Sequence, residues 1–68
     1  MLLQLAGCED GGCPGIWMDG DQVLTQGRAV TDPEILARTN PAAGETLVTL
    51  PKQLLGQALA SVMMRALA

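Results

Sequence analysis

The chain has 68 residues, with seven carboxylates against four Lys and Arg, no histidine, and Trp17 as its single aromatic residue. That length allows one domain. The charge balance disfavours phosphate-backbone binding, which needs clustered Lys and Arg, and excludes a polybasic membrane patch; no apolar run approaches the ~20 residues of a membrane span.

Taken in order, Met1–Ala6 is apolar except for Gln4 and reads as an edge strand or a loosely held arm. It is too short for a signal-peptide core and lacks the basic residues that precede one, so the expectation is a soluble, cytoplasmic protein. Gly7–Gly15 (GCEDGGCPG) is a loop by its glycines, proline and acidic pair. Ile16–Met18 is the first strand inside the domain, and Asp19-Gly20 favours a tight hairpin turn. With Asp21 counted in the loop, Trp17 comes opposite Val23 and Ile16 opposite Leu24, an aromatic against a β-branched partner. The return strand is Gln22–Val30, with a bulge or sharp bend at Gly27.

Thr31-Asp32-Pro33-Glu34 starts a short helix: Thr31 caps, Glu34 reaches back as the capping-box partner, and Asp32 suits the positive pole. That helix covers about Asp32–Thr39 and stops at Asn40-Pro41. Ala42–Glu45 turns, and Thr46–Leu50 is a strand that runs into a long helix, Pro51–Ala68. The helix places Pro51 at its first position and Arg65 near its negative pole. Leu54, Ala58, Val62 and Ala66 form one column at a step of four, and Leu55, Leu59, Met63 and Leu67 form the next. Gln53, Gln57, Ser61 and Arg65 form the opposite, polar face. The fold class is α+β, with residues 1–15 an arm and Cys/Gly loop and 16–68 a single α+β domain.

Catalytic constellations are missing. Without histidine there is no Ser-His-Asp set, and no base to lower a cysteine pKa. Glu9/Asp10 and Asp19/Asp21 sit in turns, where carboxylates cap and solvate backbone. GCEDGGCPG lacks the Lys and the following helix of a phosphate loop. Cys8 and Cys13 read first as free thiols of a cytoplasmic loop. The alternative is a Zn or Fe–S site shared across a dimer, with Glu9 or Asp10 adding oxygen ligands. Otherwise no cofactor is expected.

What stands out is apolar excess. Hydrophobic residues make up 49% of a chain with no Phe or Tyr, and a chain this short buries only about 60% of its extended surface. A thin sheet covers one helical column, leaving the second as a patch larger than monomers usually expose. The expected interface is Leu55, Leu59, Val62, Met63 and Leu67, with Met63 and Met64 suited to an adaptable contact.

Two resemblances add to this. CPGIWMDGDQVLTQGRAVTDPEILA followed by GETLVTLPKQLL resembles short actinobacterial proteins with a Cys-Pro, a hairpin, a QG–V–DPE–L stretch and a terminal V–P–LL segment. Such proteins are similar to the small BldB-like companions encoded beside helix-turn-helix regulators. The likeness covers most of Cys13–Leu55 and implies a regulatory, protein-binding role with such a regulator as partner; it brings no catalytic residues, and Trp17 stands where a Tyr-like residue is expected. Gly27-Arg28-Ala29-Val30, Pro33-Glu34, Leu36 and Gly44-Glu45 through Leu50 also resemble AbrB/MazE-type swapped-hairpin domains, with one extra residue around Asp32. That likeness implies phosphate contact through Arg28 and Arg38, although the family's basic face is not matched here. The leading expectation is a non-enzymatic regulatory protein that binds protein, as a homodimer through its last helix or as companion of a transcription regulator. An AbrB/MazE-like DNA-binding regulator or antitoxin and a cysteine-clustered metal dimer are the alternatives.

Overall fold

The computed structural model describes residues 1–8 and 12–67, with the Leu67 side chain left out of the description. Glu9 and Asp10, named above as oxygen ligands, and Ala68 lie outside the described residues. The elements run β1 (Leu2–Gly7), β2 (Gly15–Asp19), β3 (Gln22–Gln26), β4 (Arg28–Ala29), α1 (Pro33–Thr39), β5 (Val48–Thr49) and α2 (Lys52–Leu67). β1, β2 and β3 form an antiparallel meander, and β4 pairs with β5 in a separate two-stranded sheet. The α+β class stands.

Met1–Ala6 resolves as a strand. β1 pairs with β2 along its length, but the register slips between Gln4 and Ala6. The slip is a β-bulge, which turns two consecutive side chains to one face. Leu5 and Ala6 therefore both point inward, joining Ile16 of β2 and Leu54 and Ala58 of α2 in the buried core. Met18 and Leu50 pack against its margin.

The hairpin differs from expectation by one residue. Asp19 pairs with Gln22 around a two-residue turn, so Trp17 faces Leu24 rather than Val23, and Ile16 faces Thr25 rather than Leu24. Gly20 has φ +58°, and Asp21 is not among the residues with positive φ. A glycine at the first central position alone is the type II′ pattern, whose twist matches that of the flanking strands. Two residues suffice, and Asp19 is drawn into the ladder opposite Gln22.

The return strand does not continue to Val30. It stops at Gln26 and restarts as β4 in the other sheet. Gly27 is the bend: a Cβ there would run into the Thr49 carbonyl oxygen and come within 2.8 Å of Leu50 Cδ2. The expected strand Thr46–Leu50 shrinks to β5, because β4 offers only Arg28 and Ala29 as partners; Val30 N–H still donates to the Leu47 carbonyl at 2.9 Å.

Helix α1 begins one residue later than expected. Asp32 is the N-cap in place of Thr31, and its Oδ1 accepts from the Glu34 N–H at 2.9 Å. Pro33 takes the first helical position, where a missing N–H costs nothing. That frame moves Glu34 to the second position, so it is not the capping-box residue. Asn40 ends the helix in the left-handed region at φ 49°, its N–H donating to Leu36 O at 2.7 Å. Helix α2 likewise starts at Lys52, with Pro51 just outside it accepting from Leu54 N–H at 3.0 Å.

Candidate protein-docking surface

Helix α2 lies on β1 and, to a lesser extent, on β2. It buries a narrow line: Leu54 and Ala58, followed by half-buried Ser61. Ser61 was expected on the solvent face. Its Oγ instead donates to the Leu5 carbonyl at 3.0 Å, the residue that the bulge leaves without a ladder partner. The bulge thus leaves a partly buried acceptor, and a serine at helical spacing from Ala58 satisfies it.

The other apolar column stays open. Leu55 is 68% exposed, Leu59 59% and Met63 56%, and beside them Val62 of the first column is 42% exposed. Leu67 belongs to the expected set, but its side chain lies outside the described residues. With exposed Ala66, the stripe Leu55–Leu59–Val62–Ala66 alternates steps of four and three, the spacing of a helix–helix seam. Gln53 and Gln57 line a shallow cleft with Gly7, Cys8 and Pro14; at 3.6 residues per turn the stripe faces away from that cleft on the opposite flank. Burying what remains open of Leu55 or Leu59 is worth roughly 1–2 kcal/mol each.

A second apolar surface was missed from sequence. On the sheet face that carries Trp17, Leu2 and Leu24 line a cleft with the indole. Trp17 leans across Gly15, where a Cβ would meet its Cη2 at 2.7 Å. All five residues of β3 are exposed. The signal was present: Ile16-Trp17-Met18 and Val23-Leu24 are apolar without alternation, as in strands with apolar groups on both faces.

The remaining expected site residues are dispersed. Cys8 and Cys13 form a disulfide with Cα atoms 6.1 Å apart, so the free-thiol reading is overturned. With the sulfurs bonded to each other the shared metal site is not favoured, and the described residues hold no cluster of three metal-ligating side chains. Gln4 Nε2 donates to the Cys8 carbonyl at 2.8 Å, tying the disulfide loop to β1. Arg28 lies exposed on β4. Arg38 sits in the last turn of α1 with Nη2 3.6 Å from Glu34 Oε1, both side chains well exposed. They are on different elements, and one already faces a carboxylate. Asp19 Oδ1 is 3.5 Å from the N-terminal amine. No described helix is long and apolar enough to cross a membrane.

Compared with known proteins, the chain matches no family model, no curated protein and no solved structure.

Proposed function

We propose that this chain is a small non-enzymatic regulatory protein that acts by holding another polypeptide on the open stripe of α2, a second copy of itself in the first instance and a helix-turn-helix regulator as the further partner. The observation that carries the reading is the exposure of Leu55, Leu59, Val62 and Met63 side by side on one helix. An antiparallel second α2 would set Leu55 against Ala66 and Leu59 against Val62, large against smaller, as interdigitating helices require. It would also set Arg65 against Gly56 rather than against another cation. The cytoplasm expected from the sequence belongs to this proposal, and there the Cys8–Cys13 bond has to be held against a reducing thiol pool.

Sedimentation equilibrium tests the reading. The wild-type chain is expected to weigh more than its monomer mass of 7.1 kDa at high micromolar concentration, and Leu59→Glu is expected to lower the average mass. A wild-type mass that Leu59→Glu leaves unchanged would refute self-association through α2. Duplex binding through Arg28 and Arg38 is the competing reading; only the exposure of the two cations speaks for it.

A further inference from the structure

The free edge of β3 has a specific pairing pattern. Asp19 and Gln22 flank a two-residue turn and are the narrow pair that exchanges both backbone bonds. Pairs then alternate, so Leu24 bonds back to Trp17 while Val23 and Thr25, in the wide pairs, aim N–H and C=O at the open edge. No other described element takes a backbone bond from them. Gln22–Gln26 carries no charge and no proline, the usual devices that blunt an edge.

We propose that this edge pairs antiparallel with the same edge of a second copy, centred on Leu24, joining two three-stranded sheets into one continuous sheet. The register follows from the outward groups. Val23 of one copy exchanges both bonds with Thr25 of the other, and symmetry repeats the pair. Leu24 then meets its counterpart in a wide pair, the closest side-chain approach an antiparallel ladder offers. Each Leu24 already neighbours Trp17 on the outer face, so an apolar row forms across the junction. Charge agrees with the register. One step past the pairing of Gln22 with Gln26, Asp21 arrives opposite Gly27 of the second copy and beside its Arg28; neither Asp21 nor Arg28 has an ion-pair partner among the described residues. The contact is independent of the α2 stripe and stands whether or not that reading holds.

Working in the Leu59→Glu background separates the two contacts. That variant is expected to sediment at twice 7.1 kDa at high micromolar concentration. Adding Leu24→Lys, which sets two ammonium groups face to face, is expected to return it to monomer. Thr25→Pro deletes an outward donor without touching the β2 ladder and is expected to do the same; Leu24→Lys, at an exposed position, keeps the test open if the proline disturbs folding. In the dimer the Val23 and Thr25 amides are expected to exchange roughly tenfold or more slowly than in dilute protein. A monomeric Leu59→Glu protein overturns the β3 contact and leaves the α2 reading intact. A Leu59→Glu/Leu24→Lys protein that remains dimeric also overturns it.

Discussion

Gly27 is where a single added methyl group meets the most resistance. A Cβ there collides with the Thr49 carbonyl oxygen, which is backbone and cannot swing aside, and crowds Leu50 at the edge of the core. Gly27→Ala is therefore expected to cost about 1–3 kcal/mol, the usual range for overpacking. Urea unfolding followed by Trp17 fluorescence measures it; an unchanged midpoint would mean that β4 and β5 separate without consequence. Ser61 shows the same dependence on a neighbour: its burial is set by the Leu5 carbonyl, not by its own chemistry. A serine among helix polar positions looks solvated until a bulge elsewhere presents it with an acceptor.

At the scale of elements, the β1–β2 connection carries the one disulfide among the described residues. The Cys8–Cys13 bond closes a short loop, and the chain-entropy expression gives such a loop about 2 kcal/mol of stabilisation. The loop also lines the cleft beside Gln53, Leu54 and Gln57 at the start of α2. Reduction, or Cys13→Ser, is thus expected to lower unfolding stability by about 2 kcal/mol and to speed amide exchange in the first turns of α2. Equal urea midpoints with and without reductant would show that the loop clamps nothing. By contrast α1 buries none of its residues. It is held by its caps, Asp32 and Asn40; the stop at Asn40 is legible in the sequence, whereas the cap was expected one residue earlier, at Thr31.

At the scale of the molecule, the Cα radius of gyration is 13.6 Å and the extents are 42 × 23 × 20 Å. A compact chain of this length would have a radius of about 11 Å. The excess fits a helix that rests on two strands with one flank uncovered, beside a sheet whose third strand is wholly exposed. If the α2 and β3 contacts both form, each is symmetric and saturates with two copies; together they close into a tetramer or alternate into an open row. In either case apparent stability is tied to concentration. The melting temperature is expected to rise by several degrees per ~1 kcal/mol gained on association. Calorimetry across a hundredfold dilution series reads this, and a constant melting temperature would argue for a self-sufficient monomer.

Local chemistry determined by itself where the elements lie: the glycine-rich loop before Ile16, the turn at Asp19-Gly20, the helix start around Asp32-Pro33, the stop at Asn40-Pro41 and the long amphipathic helix after Pro51 all follow from residue-level preferences within a few positions. The two-column stripe on that helix was legible too, because its period is a property of the helix alone. Which part of the stripe is buried, why Ser61 turns inward, how the hairpin registers, and that Cys8 meets Cys13 were decided only in the tertiary structure. Each of these depends on where a second segment arrives. A one-residue shift at a turn or a bulge moves every facing group, and no pattern within one segment records that shift.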